Sequence, residues 1–156
     1  MKEEAGRIIE VLVRGVCVKE GKLLVCQSKG AGNTYLPGGH VEWLERAEES
    51  LKREIKEELG RAACVGDFMG AVEHTYMQKG KRHCEINVIF MVDVAGVKPG
   101  VDPEACEDWI TFRWIPLSRL GFHSLEPCPL RKLIPQWLRK LADTRRWGST
   151  ISRISS

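Results

Sequence analysis

The pattern of apolar and polar positions divides this chain into strands and two helices. Residues 7–18 carry Ile8, Ile9, Val11, Leu12, Val13, Val16 and Val18, and this β-branched density predicts a strand buried in part on both faces. Glu20-Gly21 signals a turn, and Lys22 to Ser28 reads as the returning strand. A flexible loop follows at residues 29–33, then a short extended piece at Tyr35-Leu36 that Pro37 stops. From about Glu45 to Leu59 the period becomes helical: Leu51, Ile55 and Leu59 form one apolar stripe, and Gly60 suits the C-terminal cap. Phe68 to Met77 and Cys84 to Val94 read as strands around a hairpin tip at Lys79-Gly80. Residues 99–108 form a carboxylate-rich loop, and Thr111 to Ile115 a further strand. Residues 129–142 are amphipathic, with Leu130, Leu133, Ile134, Trp137, Leu138 and Leu141 on one face, and predict a packing helix. From about Thr144 the chain is polar, with scattered arginines, and reads as frayed. The order of elements predicts an α/β fold with a mixed sheet between helices. A length of 156 residues gives one domain by size, with its core at about 7–142.

Composition narrows the function classes. A charged fraction of 29% and a hydrophobic fraction of 43% are ordinary for a soluble protein. A net charge of +3 is too small to imply nucleic acid as a partner. No apolar run approaches the roughly 18 residues of a membrane span. The charged start, MKEEAGR, has no apolar core of a signal peptide, so the expected location is the cytoplasm. The six cysteines form no C-x2-C pair and read as reduced thiols, and no histidine shows zinc-like spacing with them.

The chemistry concentrates between Gly38 and Arg61. Glu54, Glu57 and Glu58 stand at i, i+3 and i+4, within one third of the helix circumference. Three carboxylates on one face repel by a few tenths of a kcal/mol per pair. Lys52 and Arg53 offset part of this; a divalent cation offsets more, and oxygen donors suit Mg²⁺ or Mn²⁺. Before the helix, Pro37-Gly38-Gly39 predicts a tight turn that admits close approach to a ligand.

The spacing Gly39, Glu45, Arg53, Glu54, Ile55, Glu57, Glu58, Gly60 matches the Nudix box, G-x5-E-x7-R-E-U-x-E-E-x-G-U with U bulky and apolar. Only the last position departs, where Arg61 replaces the apolar residue. Seven fixed identities in this register arise by chance roughly once in a million chains. The chain therefore resembles the Nudix hydrolases, and its LPGGHVE lead-in is similar to the MutT-type branch. The resemblance covers roughly residues 7 to 142 and implies an α/β/α sandwich and a Mg²⁺-dependent pyrophosphohydrolase. Such an enzyme splits a nucleoside diphosphate linked to another group. It implies that Glu57 and Glu58 bind metal with help from Glu54 and the Gly39 carbonyl. Arg53 then orients the carboxylates, and Glu45 holds Arg53 and the loop. Many relatives carry glycine where this chain has Leu44.

Outside the box the readings are looser. Glu104 and Glu107 are the downstream candidates for the general base, Glu107 being preferred, and Glu104 is also a candidate for contact with substrate. Tyr35 is the favoured aromatic for stacking on a base. His74 and His83, flanking the hairpin tip, are candidates for contact with substrate. The ligand class is a small nucleotide, with nucleoside triphosphates ranked above ADP-ribose and nucleotide sugars. Other candidates are an RNA 5′-end hydrolase and a nucleotide-binding module without turnover. Oligomeric state is not legible, a homodimer being one candidate.

Overall fold

The computed structural model describes residues 7–140 and 145–152. Strands β1 (Ile9–Val16), β2 (Val18–Lys19), β3 (Lys22–Ser28) and β4 (Gly38–His40) precede helix α1 (Ala47–Leu59). Then come β5 (Ala63–Gln78), β6 (Lys81–Val94), β7 (Ile110–Pro116), a short 3-10 turn, α2 (Leu130–Leu138) and β8 (Trp147–Ser149). They form a five-stranded mixed sheet in the order β4-β1-β6-β5-β8 and a three-stranded sheet in the order β2-β3-β7.

The strand expected over residues 7–18 divides at Cys17, so that β1 serves the large sheet and β2 the small one. β1 pairs in parallel with β6, Leu12 opposite Asn87 and Arg14 opposite Ile89. On one face of the large sheet, Val13 and Phe90 pack with Leu51, Ile55 and Leu59 of α1. On the other, Val72 and Ile89 pack with Leu130, Leu133, Ile134 and Trp137 of α2. This is the expected sandwich. Full burial of each α1 leucine or isoleucine stabilises by roughly 1.5–3 kcal/mol, far more than its glutamates cost one another. The helix is thus free to spend its other face on acidic side chains.

Several boundaries differ from expectation: Gly38 and Gly39, expected in a tight turn, pair with β1 as part of β4, and β5 begins at Ala63 and not at Phe68. α1 starts at Ala47, leaving Glu45 in the preceding turn. α2 contains Pro135, which lacks an amide proton, and Lys140 turns to φ 51°, so the helix stops at Leu138; Leu141 and Ala142 lie outside the described residues. The tail is not frayed where it is described. Trp147–Ser149 adds a parallel strand to the open edge of β5, and Arg146 Nη1 donates to the Met69 carbonyl at 2.8 Å. The six cysteines are free thiols, with Cys17 and Cys26 buried. Among the described residues no helix is long and apolar enough to cross a membrane.

Candidate active site

The glycine turn and α1 face each other across a gap that only glycine fits. Gly38 has φ 139°, and a Cβ there would lie 2.0 Å from the Val13 carbonyl oxygen. A Cβ on Gly39 would lie 2.4 Å from the Glu54 carboxyl carbon. The turn thus brings backbone directly onto a carboxylate.

Arg53 laces that carboxylate to its neighbours. Its Nε and Nη2 donate to the two oxygens of Glu45 at 2.9 and 3.1 Å, a two-pronged clasp. Nη1 donates to Glu54 at 3.1 Å and to Glu57 at 3.2 Å. Nη2 also reaches the His40 carbonyl at 3.1 Å, which Ser50 Oγ meets at 3.0 Å. These contacts raise the Arg53 pKa, the Glu45 bond contributing most, and the same bond lowers that of Glu45. Exposed ion pairs stabilise a fold by only about 0–1 kcal/mol each. Four on one guanidinium, to Glu42, Glu45, Glu54 and Glu57, therefore serve position more than stability.

Glu58 is the odd member. It is only 4% exposed, and burial pushes its carboxyl pKa up to about 8. The Arg14 charge and the Gly38 N–H pull it down, while the charges of Glu54 and Glu107 push it up. Its Oε2 is buried without a hydrogen-bond partner. A buried carboxylate oxygen with no donor is costly unless the group takes up a proton or a cation meets it. The donor set around it, all oxygen, suits a hard divalent cation. Among the described residues no three acidic, histidine or cysteine side chains converge as a finished cage; Arg53 turns Glu57 toward itself.

The other expected residues divide. The Cys106 N–H donates to the Glu58 carbonyl at 2.7 Å, docking the acidic loop on the last turn of α1. That places Glu107 beside Glu58. Glu104, exposed on the same loop, does not line the neighbouring cleft. This cleft, about 600 Å³, is lined by Tyr35 and His74 as expected, and also by Arg14, Tyr76, Glu85 and Asn87. His83 is absent from its wall; it stacks on Tyr76 at 5.0 Å and lies 3.7 Å from Glu10. His40 points to Glu10 at 3.0 Å, away from the carboxylates as expected. Of the other aromatics, Trp43 is 91% exposed and Phe90 is core.

Sequence reading missed Arg14, which joins the two regions. Its Nη1 donates to the carbonyls of Leu36 and Gly38, both at 3.1 Å, and its guanidinium lies over the Tyr35 ring at 5.3 Å. Its Nε approaches Asn87 Oδ1 at 3.4 Å. The available signal was a charge inside an apolar strand, and polar Glu85 and Asn87 two apart in another.

Comparison with known proteins gives the family. The sequence profile of the NUDIX domain matches residues 6–139. An ADP-ribose pyrophosphatase of Methanocaldococcus jannaschii is 35% identical over 62% of this chain and 59% of its own length. An isopentenyl-diphosphate Delta-isomerase of Cereibacter sphaeroides is 31% identical over 68% of this chain and 63% of its own. A putative 8-oxo-dGTP diphosphatase of Bacillus subtilis is 29% identical over 76% and 77%. The chain thus spans less than two thirds of the first two relatives. Among solved structures, the E. coli ORF135 protein superposes with a TM-score of 0.67 at 24% identity, over 88% of this chain and 96% of that one. A profile match of this extent, on a chain whose box residues gather around one glycine turn, leaves a single assignment: the chain belongs to the Nudix family.

Proposed function

We propose that this chain is a Mg²⁺- or Mn²⁺-dependent pyrophosphohydrolase acting on a nucleoside diphosphate linked to another group, with nucleoside triphosphates ahead of ADP-ribose. The observation that carries the reading is the buried, unpartnered Glu58 oxygen beside Glu54, under a glycine turn with no room for a side chain. Glu57 and Glu58, with Glu54 and the Gly39 carbonyl, would hold the cation. When bound, it supplies charge neutralisation for the diphosphate and a lowered pKa for a water.

The remaining work falls to the chain itself. Arg53 keeps Glu54 and Glu57 on one side of the turn, and Glu45 keeps Arg53 from swinging away. Glu107, beside Glu58, is the carboxylate that takes the proton from the attacking water. Arg14 offers positive charge between the carboxylates and the cleft, where a phosphate leads to its nucleoside. Tyr35 and His74 line that cleft and contact the base or sugar. The ADP-ribose pyrophosphatase among the relatives makes that compound the second reading. What the relatives' printed names share is a diphosphate ligand, and release of phosphate products separates hydrolysis from isomerisation.

The experiment incubates the chain and its Glu57→Gln variant with Mg²⁺ or Mn²⁺. The panel holds nucleoside triphosphates, oxidised dNTPs, ADP-ribose, dinucleoside polyphosphates, capped RNA and isopentenyl diphosphate. Cleavage of one class by the unmutated chain alone is expected. Equal rates from both proteins would remove the box from the mechanism. Ligand binding without any product would instead mark a binding module.

A further inference from the structure

Two buried side chains in the cleft take no part in holding the carboxylate cluster. Glu85 is 8% exposed and Asn87 1%. A carboxylate withdrawn from water needs a donor or a cation. Among the described residues no Lys, Arg or His forms an ion pair with Glu85. Among the described residues its donor is Asn87 Nδ2, at 2.9 Å from Oε1. Asn87 is itself fully engaged: Nδ2 also points to the Val72 carbonyl at 3.5 Å, and Oδ1 receives Arg14 Nε at 3.4 Å. Asn87 is therefore a bracket that fixes Glu85, and Arg14 ties the bracket to the glycine turn. Glu85 Oε2 accepts no hydrogen bond from the described residues. It is not sealed away either: among the described residues the side-chain atoms that are both buried and unpartnered are Glu58 Oε2 and Arg113 Nε. Glu85 thus presents a fixed oxygen to a cleft that Tyr35 also lines.

We infer that Glu85 selects the nucleobase, the cleft taking bases that present an exocyclic amino group and rejecting those of the same size with a carbonyl in its place. The inference rests on the nucleotide reading above. An ionised carboxylate only accepts hydrogen bonds. Cytosine and adenine present an amino group where uracil and hypoxanthine present oxygen. An oxygen there meets the carboxylate acceptor to acceptor, with no proton between them.

The test measures binding, so it does not depend on turnover. Calorimetric dissociation constants are compared for the non-hydrolysable α,β-methylene analogues of CTP and UTP, and of ATP and ITP, with Mg²⁺ present. The amino member of each pair is expected to bind roughly tenfold or more tightly. Glu85→Gln, whose amide oxygen stays on Asn87 Nδ2 and whose NH2 therefore faces the cleft, is expected to abolish or invert both preferences. A CTP analogue dimethylated on N4 has no donor left there; it should bind the unmutated chain as weakly as the UTP analogue, a check that needs no variant. Equal affinities within the pairs, full affinity for the dimethylated analogue, a preference kept by a folded Glu85→Gln chain, or no binding at all each overturns the assignment. Hydrolysis of the unmodified triphosphates, assayed separately, keeps the two readings apart. Cleavage indifferent to base removes only the role of Glu85, and selective binding without cleavage removes only the hydrolase.

Discussion

Alanine at Gly38 and alanine at Gly39 should fail in different ways. At Gly38 the new Cβ meets the Val13 carbonyl oxygen at 2.0 Å, and φ is 139°. Neither is relieved by a rotamer, because the obstacle is the backbone of β1. Backbone strain of about 1–3 kcal/mol and overpacking of similar size add to roughly 3–5 kcal/mol. For a chain of this length that lowers Tm by on the order of 10–15 °C. At Gly39 the obstacle is the Glu54 carboxyl, 2.4 Å away and at the end of a flexible side chain. It must retreat by about 1 Å to reach van der Waals separation. The fold barely notices, losing roughly 1 kcal/mol or less, but a carboxylate proposed to hold the cation is displaced. A misplacement of that size costs on the order of 10²-fold in rate. Thermal melting and kcat for the two variants decide the matter. A Gly39→Ala chain with undiminished kcat, or with a Tm loss as large as that of Gly38→Ala, refutes the account of the turn.

Other outcomes follow from the same geometry. Leu44 holds φ 61° at 89% exposure, a left-handed conformation with no packing to offset it; Leu44→Gly should raise Tm by a few degrees, about 1 kcal/mol, and an unchanged or lower Tm would count against strain there. In EDTA, the raised pKa of Glu58 means that the folded chain binds a proton the unfolded chain releases. Stability should therefore fall as pH rises from about 4.5 to about 8 and level off above, by on the order of a few kcal/mol. Glu58→Gln should flatten that slope in Tm-against-pH scans, and an unaltered slope would assign it to another group.

The box and α1 were legible because their information is local. A fixed spacing on one helix needs no knowledge of what lies across the sheet, and the stripe of Leu51, Ile55 and Leu59 marks the buried side directly. Leu44 stood out as a departure, and the structure supplies the reason: its φ is one that glycine adopts freely. Arg14, Glu85 and Asn87 were not legible for the opposite reason. Each reads as an interruption in an apolar strand until the parallel register of β1 and β6, distant in sequence, sets Leu12 beside Asn87. The tail misled because its composition is that of a solvated segment. Its order comes from outside, from the open hydrogen bonds along β5.

That borrowed order has a practical side. Thr150 Oγ1 hydrogen-bonds with His74 Nδ1 at 2.9 Å and accepts from the Thr75 N–H at 3.0 Å. The last described stretch is therefore stitched to the strand that forms the cleft wall. A fusion partner, affinity tag or truncation there is not silent: pulling on residues 147–150 pulls on an imidazole that lines the cleft. Changes in apparent affinity between differently tagged preparations would then report on the seam and not on the catalytic helix.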